Sequence, residues 1–129
     1  MSRRSDQLCA LARLARLARM RADLELRRYA AYRAQADEMR RHVDTIRDEL
    51  HAAMTTPAGD ALDQWRLTSA LVGYRAGRLH RAEDGLARMQ PALDAARKNA
   101  TVAFGRAEAL VQLQRMTVAK DREARDRRS

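Results

Sequence analysis

The chain has 129 residues, 46% of them hydrophobic and only 4% aromatic, and a formal charge of +9 from 26 basic against 17 acidic residues. Ala, Glu, Lys, Leu and Arg fill 73 positions, while Val, Ile and Thr fill only 12. That composition excludes a strand-rich fold, points to long helices, and speaks against an enzyme with a deep, water-excluding pocket.

Met1 to Thr56 contains no Gly and no Pro. Spacings of three and four alternate through Leu8, Leu11, Ala15, Ala18, Ala22, Glu25, Tyr29, Tyr32, Ala36, Met39, Val43, Ile46, Leu50 and Ala53. Thirteen of these fourteen positions are apolar or aromatic. The pattern predicts a coiled-coil helix over about residues 5–54. One stretch departs from it: LARLARLARMR, Leu11 to Arg21, repeats every three residues. Each such step turns a helix by about 300°, so successive leucines walk around it. Only Leu11 of that run lies on the seam, which passes on to Ala15 and Ala18. Leu14, Leu17 and Met20 rotate outward, making this end apolar and basic nearly all round, and a helix of that kind ordinarily has to be buried.

TTPAGD, Thr55 to Asp60, is the one clustered breaker, so a turn is expected at about residues 55–60. Thr56 with Pro57 is one candidate N-cap and first helical residue, and Asp60 with Asp63 is another. A second helix is expected over about residues 60–125. Its series runs Leu79, Ala82, Leu86, Met89, Leu93, Ala96, Ala100, Ala103, Ala107 and Leu110. Extended backwards it meets Val72 and Trp65, but also Arg75 and Thr68. Pro91 lies inside the series and removes a helical hydrogen bond. The heptad crosses it in phase, which favours one kinked helix over two separate ones. Four glycines weaken this helix and leave its order dependent on packing.

Two helices and one short turn predict an all-α, antiparallel two-helix coiled-coil hairpin, a single unit over 1–129. A turn centred at residues 57 and 58 pairs Leu50 with Trp65, Val43 with Val72, Ala36 with Leu79 and Tyr29 with Leu86. It also pairs Ala22 with Leu93, Ala18 with Ala96 and Ala15 with Ala100. Glu25 would then face Gln90 beside Pro91, and the chain after Leu113 would have no partner helix. Tyr29, Tyr32 and Trp65 would fill the seam. Leu67, Leu71 and Tyr74 form a stripe outside it, either a second core face or a docking patch.

Charge is segregated. Residues 1–33 hold nine arginines and three acids, residues 97–129 nine basic residues and four acids, and residues 34–96 eight basic and ten acidic. A hairpin brings the two basic ends together, which suits an acidic partner surface. Codon bias toward Ala and Arg, or a merely solvated charged face, would also enrich arginine. Cys9 is alone, so no disulfide or cysteine metal site forms within one chain. His42, His51 and His80 do not meet in the predicted register, so no metal and no other cofactor is expected. No window has the apolar length of a membrane span. The Arg-rich start resembles a mitochondrial presequence, but its helical pattern continues without a cleavage-like break. Without a helix-turn-helix or zinc-finger spacing, nucleic acid would be held only through its phosphates.

A short basic chain, an Arg/Leu-rich first helix, one central breaker and a second helix with a basic tail together resemble the FliJ/YscO family. These are stalk proteins of flagellar and type III secretion export machines. The resemblance covers the whole chain and is architectural. It implies a non-enzymatic, cytoplasmic protein, peripheral to a secretion apparatus at the inner membrane. Its basic terminal end would enter a hexameric export ATPase, and its other part would reach the export gate, with secretion chaperones as further partners. Carried over by region, it puts Arg13, Leu14, Arg16, Leu17, Arg19, Met20, Arg21, Arg115 and Arg122 at the ATPase. Tyr32, Met39, Leu67, Leu71 and Tyr74 fall toward the gate. Two alternatives remain beside it. One is a basic coiled coil that binds nucleic acid non-specifically. The other is a self-associating helical adaptor that pairs through Leu14, Leu17, Leu24 and the Leu67/Leu71 stripe.

Overall fold

The computed structural model describes residues 3–57 and 59–129, so Ala58 of the expected turn lies outside the described residues. The fold is an all-α helical hairpin. Helix α1 spans Arg3–Thr55 and helix α2 spans Leu62–Arg128, and the two pack antiparallel. The absence of Gly and Pro from α1 leaves nothing to interrupt its 53 residues. Helix α2 continues across Pro91 as one helix.

The turn is built differently from either expected cap. The Thr56 N–H donates to the Ala52 carbonyl at 3.0 Å, and its hydroxyl donates to the same oxygen at 2.6 Å. The Thr55 hydroxyl donates to the His51 carbonyl at 2.9 Å. Both threonines therefore close α1, satisfying carbonyls that a helix end leaves orphaned, and Thr56 does not cap α2. The first bond of α2 runs from the Trp65 N–H to the Ala61 carbonyl at 3.1 Å, so the helix starts after Asp60, with Asp63 in the first turn against the positive end of its dipole.

The chain forms two compact units. The first comprises residues Met1–Ala30 and Asp94–Ser129, the second Ala31–Leu93. In the first unit the buried seam is Ala15, Ala22, Glu25, Ala96, Ala100 and Ala103. Ala18 and Ala103 share one groove and Ala22 and Ala100 another, so alanine meets alanine and the helices approach closely. Such a seam buries little area per residue and contributes correspondingly little free energy. In the second unit Ala36, Val43, Ile46 and Ala53 are buried. Arg47 pairs with Glu83 at 3.3 Å, Arg78 with Glu49 at 3.5 Å, and Arg75 donates to the Glu49 carbonyl at 2.8 Å.

The heptad face is as expected, but the register is not. In the second unit Met39 lies against Gly85, and Ala53 shares a groove with Val72. In the first unit Tyr29 lies by Arg97 and Ala100 rather than by Leu86, and Arg4 pairs with Asp121 at 3.7 Å. Each unit is shifted along α2 by about ten residues, or three heptad-type turns, which keeps the same face in the seam. Helix α2 accordingly starts beyond the end of α1, with Ala53 level with Val72 rather than with Leu62. Arg75 and Thr68 are half-buried on the face where the series extended backwards puts them. The shift has two consequences that correct the expected pairing. The chain after Leu113 is partnered, with Gln114, Thr117 and Asp121 half-buried. Trp65 does not fill the seam and is 60% exposed.

Candidate functional site

The three-residue leucine repeat lies in the first unit. Leu11 and Ala18 are half-buried and Ala15 is buried, while Leu14, Leu17 and Met20 are 51%, 61% and 61% exposed. A helix that places leucine at every third position must show most of them outward when its seam follows a three-four rhythm. Arg13, Arg16 and Arg19 are exposed and, among the described residues, have no ion-pair partner. Arg21 is engaged, binding Glu25 at 3.0 Å. Arg115 and Arg122 are exposed and line one shallow surface of α2 with Gln114, Val118, Ala119 and Glu123.

The charge division follows the units. Residues 1–30 and 94–129 together hold 17 basic and eight acidic residues, and residues 31–93 hold nine of each. The whole formal charge of +9 therefore belongs to the first unit, and the second is neutral. Unpaired guanidiniums beside exposed leucine and methionine make a surface suited to an acidic partner that also covers apolar side chains.

Glu25 is the charged member of this unit's seam and is buried, with its carboxylate held between Arg21 at 3.0 Å and Arg28 at 3.3 Å. It lines a groove with Lys98, Asn99, Val102, Ala103 and Arg106, not with Gln90, so the expected polar layer beside Pro91 is replaced by a charge cluster further along α2. On the other side of the seam Leu26, Tyr29 and Phe104 border an apolar groove floored by Ala22 and Ala100. That groove was not anticipated. Its signal was available, because Leu26 and Phe104 each directly follow a seam residue and so flank the seam.

The residues expected toward an export gate all lie in the second unit. Leu67, Leu71 and Tyr74 share one open side of α2, at 72%, 42% and 62% exposure. Tyr32 is exposed although it holds a heptad position, and Met39 is half-buried in the seam against Gly85. His80 sits 3.4 Å from Asp84, and no three metal-ligating side chains converge among the described residues. Among the described residues no helix is long and apolar enough to cross a membrane.

Comparison with known proteins finds no matching family model, no matching curated protein and no matching solved structure. The class that the fold and its surfaces define is therefore a structural one. It is an all-α helical hairpin whose basic unit carries both chain ends and whose neutral unit carries the turn.

Proposed function

We propose that the protein is a non-enzymatic coiled-coil stalk of a type III secretion export apparatus, acting in the cytoplasm at the inner-membrane face of that machine. The basic unit enters a hexameric export ATPase through Arg13, Arg16, Arg19, Arg115 and Arg122, with Leu14, Leu17 and Met20 as the apolar contacts. Arg21 contributes by anchoring Glu25. The neutral unit reaches the export gate through Tyr32, Leu67, Leu71 and Tyr74, above a seam held by Met39, and chaperones of secreted cargo are further partners.

The observation that supports this reading is the confinement of all net charge to one unit, on a surface that also exposes Leu14, Leu17 and Met20. Exposed apolar side chains over an alanine seam favour burial within another protein. The test is to mix the chain with the export ATPase of its own cell and measure binding and ATP hydrolysis. Arg13, Arg16 and Arg19 changed together to Glu leave every ion pair of the unit in place. Loss of both binding and stimulation, with helicity unchanged by circular dichroism, is the expected result. Unchanged binding overturns the assignment. The same charge favours one competing reading, a phosphate-binding coiled coil, and a gel shift across a salt series separates the two. Duplex DNA retained at physiological salt, with the ATPase not retained, replaces the stalk by a nucleic-acid binder.

A further inference from the structure

In the second unit α2 turns Thr68, Val72, Arg75 and Leu79 toward α1, and all four are half-buried. At about 100° per residue, the opposite side of the helix carries Asp63, Leu67, Ala70, Tyr74, Gly77 and Arg81. Their spacing alternates four and three, which is a second heptad seam that no described residue covers. All but Gly77 are exposed, Leu67 and Tyr74 being 72% and 62% accessible.

This stripe complements itself when read backwards. Two copies of α2 laid antiparallel, with a two-fold axis at the level of Val72, bring Asp63 against Arg81, Leu67 against Gly77, and Ala70 against Tyr74. Each contact occurs twice, as an isologous interface requires. Large side chains meet small ones, and an acid meets a base.

Other observations agree. Asp63 and Arg81 have no ion-pair partner among the described residues, so both charges are available to a partner helix. Gly77 is a poor choice for a helix interior, and a Cβ there would meet only the Arg81 guanidinium, at 3.4 Å. The chain's own packing therefore does not require its small size, but a leucine from another helix would. The unit has nine basic and nine acidic residues, so two copies meet there without the net repulsion that the +9 unit would impose.

We infer that the outer face of α2 from Asp63 to Arg81 is a homodimer interface, occupied by the same face of a second copy running antiparallel. This goes beyond the stalk reading and does not rest on it, since ATPase binding and self-pairing use different units. The pairing covers Leu67 and Tyr74, so a gate component that uses those two side chains has to displace the second copy.

The test is sedimentation and light scattering of the full chain over a concentration series. The expected mass approaches twice the 14.7 kDa of one chain as concentration rises. Tyr74→Glu, at an exposed position, abolishes the dimer while leaving helicity intact. Asp63→Arg and Arg81→Asp each weaken it at least about fivefold, because each creates two like-charge contacts, and the double exchange D63R/R81D restores it. A monomer at every concentration overturns the inference. So does a dimer indifferent to Tyr74→Glu. Failure of the double exchange to recover what the single changes lose overturns the antiparallel register.

Discussion

Replacing Glu25 by leucine should stabilise the protein. The carboxylate is 4% exposed in a seam otherwise made of alanines, and its partners are the guanidiniums of Arg21 and Arg28, themselves 65% and 56% exposed. Two such partly solvated pairs contribute about 0.3–0.5 kcal/mol each. Removing the carboxylate strands no buried cation, because both arginines keep their water. Burying a leucine side chain of similar size contributes about 1.5–3 kcal/mol and abolishes the desolvation cost of the charge. The net expectation is a gain of about 1–2 kcal/mol. That appears as a rise of about 3–8 °C in Tm, or as a higher urea midpoint at unchanged slope, followed by circular dichroism at 222 nm. Glu25→Gln separates charge from shape. It keeps the volume, loses the charge-assisted hydrogen bonds, and should cost about 1 kcal/mol. A leucine variant less stable than the parent would refute the reasoning and show that the buried carboxylate is itself a net source of stability.

Two further stability measurements bear on the seam and on α2. Val43 and Ile46 are the buried apolar residues larger than alanine among the described residues, so Ile46→Ala should cost about 2–4 kcal/mol in urea unfolding, whereas Leu17→Ala, at a side chain 61% exposed, should stay within about 0.5 kcal/mol; equal losses would contradict the seam. Gly105 lies inside α2 without a positive φ, and a Cβ there meets nothing within 4 Å, so Gly105→Ala should gain about 0.5–1 kcal/mol, and any destabilisation would point to a close approach absent from the packing described.

The outward display of Leu14, Leu17 and Met20 was legible in the sequence, because a three-residue repeat and a three-four seam diverge by arithmetic alone. The same holds for the segregation of charge. The burial of Glu25 among Arg21, Arg28, Lys98 and Arg106 was not legible in full. Its heptad position marked it as a seam residue, but its neighbours across the seam depend on which turn of α2 lies opposite. The Leu26/Phe104 groove depends on the same alignment, since neither residue borders a groove until the other helix brings its partner level.

What the sequence determined by itself was the helical content, the place of the turn and the face each helix buries. Composition leaves no competing element, Pro57 and Gly59 fall together within Thr55 to Asp60, and the heptad fixes an angle around each helix. What only the tertiary structure decided was the register. A heptad looks the same after each shift of a few turns, so its angular information says nothing about sliding along the axis. The layers that distinguish the observed register are Met39 against Gly85 and Arg78 and Arg47 with Glu49 and Glu83. That alignment gives the basic tail a partner helix and leaves Trp65 in solvent, and neither outcome can be read from spacing alone.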